Sequence, residues 1–142
     1  MALSSLQKER KGGIKMQLSK VVEFHNLYST LKEKEMPVLV AYKLNQIEDV
    51  CEKNNKFFEE KTRDIINKYA EKDSDGKPLF TEDQKSVRIQ QDFIDTCVKE
   101  LQELSEIDVD VPDIKIDIND LNDIKITVAE MGALMPFIKD KE

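Results

Sequence analysis

One apolar stripe constrains this chain more than any other feature. Val40, Leu44, Ile47, Cys51, Phe58, Ile65 and Tyr69 follow one another in steps of three, four or seven residues, with Lys43, Glu48, Lys53, Glu60 and Arg63 assigned to the polar side. Apolar residues at those steps line one face of an α-helix, which turns once in about 3.6 residues. Pro37 suits the first turn, where its missing N–H is not needed, and the pattern predicts a helix from Pro37 to Lys72. At ~1.5 Å per residue such a helix spans roughly 50 Å. It is stabilised mostly by what its apolar face packs against, not by intrinsic propensity. In a chain of 142 residues it needs a long partner, from the same chain or from another.

The flanking segments supply part of that partner. Ser19 can cap a helix carrying Val21, Phe24, Tyr28 and Leu31, with Leu27 beside them. That helix is expected over Ser19–Glu35, because the residue before Pro37 is pushed out of helical geometry. Asp73-Ser74-Asp75-Gly76 is a turn signal. Thr81-Glu82-Asp83-Gln84 matches a capping box and predicts a helix to Ser105 with Val87, Ile94, Cys97 or Val98, Leu101 and Leu104 on its stripe. The two long helices then form an antiparallel hairpin closed over residues 73–80. Beyond it the period falls to two. Ile107, Val109 and Val111 alternate with Asp108 and Asp110, Ile114, Ile116 and Ile118 with Lys115 and Asp117, and Ile124 with Ile126 gives a shorter segment. These read as two or three short strands showing an acidic face to water. Thr127 can cap a last helix, Val128 to Leu134, stopped by Pro136. The expected fold is mainly α (α+β): a short N-terminal helix, a long helical hairpin and a small C-terminal β segment with a terminal helix. Residues 1–15 read as a flexible basic tail interrupted by Gly12-Gly13, and 16–142 as one domain. Met16 is an alternative start, which would make the tail dispensable.

Charge is unevenly distributed. The net charge is −7, yet residues 100–142 hold 12 acidic and 4 basic side chains while residues 1–20 carry Lys8, Arg10, Lys11, Lys15 and Lys20 against Glu9 alone. Such polarity favours docking on other proteins over binding nucleic acid directly. No apolar run is long enough to cross a bilayer, and the N-terminus lacks the apolar core of a signal peptide. No membrane partner is expected. One His, four Gly, two Cys and no Trp leave few means of building a catalytic centre. No phosphate-cradling loop, metal-spaced Cys/His set or Ser–His–Asp arrangement is present. The expectation is therefore a non-enzyme without cofactors.

Three groups of residues invite a more specific reading. Glu71, Asp73, Asp75, Gly76 and Glu82 fall at positions 1, 3, 5, 6 and 12 of a calcium-binding helix–loop–helix. Glu71 is longer than the usual Asp, and Pro78 stands where a backbone pair is normally made, so a turn and an N-cap are the expected outcome and no metal. Asp108, Asp110, Asp113, Asp117, Asp120 and Asp123 place six acids within 16 residues. They fit a solvated strand face, a metal cluster, or a decoy that mimics nucleic-acid phosphates; Asp108, Asp110 and Asp117 are the candidate contacts for that last role. Finally, Phe57 lies next to Phe58 around the long helix, and Ile65 next to Ile66, so the apolar face is wider than one helix covers. Phe57, Ile66 and Tyr69 are accordingly expected to meet a protein partner, self or heterotypic. His25 reads as structural, and Cys51 and Cys97 as reduced core residues.

Several segments taken in order resemble a family of small proteins from tailed phages and prophages. They are Lys34-Glu35-Met36-Pro37-Val38 followed by Ala41-Tyr42-Lys43-Leu44; Lys68-Tyr69-Ala70-Glu71-Lys72-Asp73-Ser74-Asp75-Gly76-Lys77-Pro78; Val111-Pro112-Asp113-Ile114-Lys115-Ile116; and the run Thr127 to Ile138. The resemblance covers about residues 16–140. It implies phage origin, with the host cytoplasm or the virion as the location, and it carries over no catalytic residue. With the residue-level reading it leaves a virion or assembly component acting through protein contacts as the leading expectation. An inhibitor of a host defence or nucleic-acid enzyme and a small calcium-binding module are the alternatives.

Overall fold

The computed structural model describes residues 13–139; residues 1–12 of the expected basic tail lie outside them. The chain is mainly helical with one two-stranded antiparallel sheet. In order the elements are β1 (Gly13–Gln17), α1 (Leu18–Leu31), α2 (Val38–Tyr69), α3 (Ile94–Ser105), β2 (Asp108–Pro112) and α4 (Val128–Leu134). They divide into two compact units. The first holds the residues up to Asn55 and those from Asp108 onward; the second is Lys56–Ile107. The boundary falls inside α2.

In the first unit β1 pairs with β2, Gly13 opposite Pro112 and Gln17 opposite Asp108. Side chains alternate across a strand, so Asp108 and Asp110 face out while Val111 is buried and Val109 half-buried. On β1 the same alternation buries Met16 and half-buries Ile14. The expected tail therefore ends earlier than residue 15: Gly13, Ile14 and Lys15 belong to the sheet. Two apolar positions give a strand little signature of its own, and its partner lies some 95 residues away. A chain begun at Met16 would lose three of the five cross-strand pairs. Its expected loss of stability is about 1–2 kcal/mol, chiefly the partial burial of Ile14, read as a lower urea midpoint against the full chain.

The core of this unit gathers Val21, Phe24 and Leu31 of α1, Val40, Leu44, Ile47 and Cys51 of α2, Val111 of β2, and Ile116, Leu121, Ile124, Leu134 and Phe137. Phe24 meets Phe137 edge-on at 5.7 Å and stacks on Tyr28 at 6.2 Å. α4 opens with a reciprocal cap: Glu130 N donates to Thr127 Oγ1 (3.1 Å) and Thr127 N donates to Glu130 Oε1 (2.9 Å). The expected strands at 114–118 and 124–126 do not form. Ile116 makes a single parallel bridge to Ile138, through Ile116 N to Phe137 O (2.7 Å) and Lys139 N to Ile116 O (2.8 Å). Asp117 then takes the amide of Asn119 (2.9 Å) and starts a 3-10 turn, Ile118–Leu121. Short polar side chains that bond their own backbone compete with a ladder in this way.

In the second unit the helix expected from Thr81 begins only at Ile94. The capping box is not made. Thr81 Oγ1 instead donates to Asp83 and accepts from Ser86 N, and Gln84 has φ 61°, a left-handed conformation that no helical first turn tolerates. Residues 70–90 form three short extended stretches, bridged at Ala70–Ile89, Lys72–Pro78 and Phe80–Val87. Glu71 N donates to Arg88 O, Arg88 N to Leu79 O and Leu79 N to Glu71 O, each at 2.8 Å, a closed ring of backbone bonds. Gly76, at φ 82°, supplies the left-handed residue of the turn between the first two stretches.

Candidate functional site

The second unit buries little of its apolar inventory. Among its hydrophobic residues only Ala70, Cys97 and Leu104 are fully buried, while Phe57, Phe80, Phe93, Ile94, Val98 and Ile107 are exposed. α3 explains why. Cys97 and Leu104, seven residues apart, face inward; Ile94, Val98 and Leu101, at i, i+4 and i+7, make a second stripe. Val98 is 57% exposed. This second stripe walls a groove of about 650 Å³ with Ile66, Val87 and Ile89. Ile66 and Val87 also line an adjoining hollow of about 390 Å³ beside Phe58, Thr62 and Arg63. The groove thus continues along the second part of α2.

The three apolar contact residues expected from the sequence are not brought together. Ile66 lies in this groove, whereas Phe57, 41% exposed, lines a separate shallow hollow with Ile65, Leu104 and Ile107. Tyr69 is engaged within its own unit. Its ring lies 5.5 Å from Phe93, its hydroxyl donates to Glu100, and the Lys68 ammonium sits 4.9 Å above it and 3.0 Å from Glu100. The Tyr69 hydroxyl, then Lys68, hold Glu100 below the usual carboxylate range. The α3 stripe itself was legible only as the ambiguity between Cys97 and Val98: Cys97 is buried and Val98 exposed, and both line the groove.

Two of the acidic candidates have local partners of their own. Asp110 pairs with Lys15 at 2.9 Å, and Lys15 is held charged above its ordinary range by Asp110 and, more weakly, Asp108. Asp117 is used as a turn cap. The calcium positions are equally occupied. Glu71 is bound to Arg88 (2.8 Å), Asp73 Oδ1 accepts from the amides of Asp75 and Lys77, and Glu82 lies in a second turn instead of on an exiting helix. Among the described residues no group of three or more His, Cys, Asp and Glu side chains is arranged to hold a metal ion.

One polar cluster was not expected. Glu48, assigned to the polar side of its helix, is only 8% exposed and meets His25 Nδ1 at 2.6 Å, while its Oε1 is buried without a hydrogen-bond partner among the described residues. Burial pushes the carboxyl up, against the pull of His25. Cys51, less than a turn away, is pushed up to about 12 by burial and then by Glu48. A nucleophilic thiol needs the opposite shift, so the cluster does not activate Cys51. Nothing in the local sequence pairs residues 25 and 48; only the packing of α1 on α2 does. Both cysteines are free thiols.

No protein-family model matches this chain, and neither curated proteins nor solved structures give a match. Among the described residues no helix is long and apolar enough to cross a membrane.

Proposed function

We propose that this chain is a non-enzymatic, phage-encoded protein that works through protein–protein contacts as a virion or assembly component, in the host cytoplasm or in the particle. The second part of α2 and α3 serve as the two arms of a helical hairpin, and the hairpin presents its apolar groove to a partner. The observation that carries the reading is the unsatisfied apolar surface of the second unit, where Ile94 and Val98 stand exposed beside a groove lined by Ile66, Val87 and Ile89. Contiguous exposed apolar surface of this kind marks interaction sites. The resemblance of residues 16–140 to small phage proteins supports the setting. Neutralisation of Asp110 by Lys15 and the use of Asp117 as a cap weigh against the acidic-decoy alternative. The reading is tested by mass spectrometry of purified particles and assembly intermediates from cells producing the tagged chain. The expected result is the chain in one of these fractions, lost on Ile66→Asp; its absence from all of them overturns the reading.

A further inference from the structure

We propose that Glu48 takes up a proton when the first unit folds, and that this proton latches α1 to α2. Among the described residues two side-chain hydrogen bonds join these helices, His25 to Glu48 and, one turn along each helix, Tyr28 to Asn45. The Tyr28 bond is long (3.4 Å) and exposed. The His25 bond is short (2.6 Å) and ends on a side chain that is only 8% exposed. The two oxygens of Glu48 decide which form of the carboxyl suits the site. Oε2 meets His25 Nδ1, while Oε1 is buried with no partner among the described residues. A carboxylate spreads its charge over both oxygens and seeks donors at each; here one charged oxygen would stay bare, at the full cost of its desolvation. A neutral acid fits better. Its Oε2–H donates to Nδ1, His25 carries its own proton on Nε2, and Oε1 remains as an uncharged carbonyl oxygen, the cheaper group to bury.

The surrounding charges favour the same form. On α2 itself Glu52 and Asp49 are exposed, and both repel a negative Glu48. Tyr28 of α1 and Cys51 of α2 are each pushed up by burial and then by Glu48, so neither adds a compensating positive charge. The lysines closest in sequence are engaged or exposed: Lys20 pairs with Glu23, Lys43 donates to the Lys115 carbonyl, and Lys53 faces solvent. From the other elements of the unit, Lys15 and Asp110 of the sheet pair with one another, Lys34 pairs with Glu130 of α4, and Asp120 of the 3-10 turn is exposed. Burial is the largest influence on the Glu48 carboxyl and raises it, with His25 offsetting only part of the rise. A carboxyl whose folded pKa is raised stabilises the fold below its unfolded pKa of about 4.3 and loses that contribution as pH rises through the folded value. The latch is closed in acid and slackens as pH rises through that raised value.

Urea unfolding of the full chain as a function of pH, beside Glu48→Gln, tests the latch. The Gln amide can donate to Nδ1 as the neutral acid does, but it has no proton to lose. The two midpoints are expected to converge in acid. As pH rises the wild type should fall relative to Glu48→Gln, its folding constant dropping by at most about tenfold per pH unit, the limit for a single proton. Over the same range deuterium exchange across Leu18–Leu31 should quicken in the wild type beyond the change seen in Glu48→Gln. A wild type that gains on the variant with rising pH would mean an imidazolium–carboxylate bridge and overturns the inference, as do parallel curves. Should Glu48→Gln fail to fold, the wild type decides alone. At about pH 5, above the ordinary carboxyl pKa of about 4.3, its infrared spectrum should carry the carbonyl band of a desolvated carboxylic acid, higher in frequency than that of solvated acids. The band should vanish on thermal unfolding at that pH, and its absence from the folded protein overturns the inference.

Discussion

Replacing Phe24 by Ala is expected to cost about 3–5 kcal/mol, the range for removing a fully buried aromatic side chain. Phe24 is wholly buried and touches both Phe137 and Tyr28, so the substitution opens a cavity and also removes an edge-on aromatic pair worth about 0.5–1.5 kcal/mol. Phe137 comes from the far end of the sequence and Tyr28 from the next turn of α1, and neither can close the gap by moving alone. A small domain is stable by only about 5–15 kcal/mol, so the loss takes a large fraction of what holds the first unit together. At a urea slope of about 1–3 kcal/mol/M the midpoint should fall by on the order of 2 M. Val128→Ala is the control: Val128 is 91% exposed, and substitution there should stay within about 0.5 kcal/mol. Equal midpoints for the two variants would show that Phe24 is not central to the core.

The long apolar stripe was the most legible element, because a period of 3.6 maintained over many turns suits an α-helix and does not suit a strand. α2 carries it from Val40 to Tyr69. What the stripe could not disclose is its width. Glu48 and Asn55 are buried on the same helix, and Glu48 is buried where His25 reaches it from α1. The alternation at Asp108–Val111 was likewise legible as a strand, whereas its partner β1 was not, since the pairing spans most of the chain. Residues 81–93 misled for a different reason. Thr81 and Gln84 have the composition of a capping box, but Thr81 finds nearer partners in Asp83 and Ser86, and Val87 is drawn into a bridge with Phe80. Of the candidate contact residues, Ile66 lies in the groove. Phe57 and Tyr69 share its helix yet point to other surroundings, which a helical wheel cannot distinguish without knowing where α3 lies.

Glu130→Gln should flatten the acid limb of stability. The carboxylate is 3% exposed; Oε2 accepts from Thr30 Oγ1 at 2.6 Å, Oε1 from Thr127 N at 2.9 Å, and Lys34 Nζ lies 3.5 Å away. Burial by itself would raise its pKa, but the Thr30 and Thr127 hydrogen bonds and the Lys34 charge together outweigh burial and hold it below the ordinary value. A carboxyl with a depressed folded pKa stabilises the fold above its unfolded pKa of about 4.3, and that contribution disappears as pH falls through the folded value. In the wild type, unfolding free energy should therefore drop between about pH 5 and about pH 3 more steeply than in Glu130→Gln. The other depressed carboxylates, Asp83 and Glu100, titrate in both proteins and cancel in the difference. Near neutral pH the amide cannot accept as strongly, and Glu130→Gln should be less stable by about 1–3 kcal/mol. The two curves should converge in acid. Parallel curves across that range would mean that Glu130 is not held as a charged acceptor, and the link from α4 to Thr30 and Lys34 would then have to rest on packing alone.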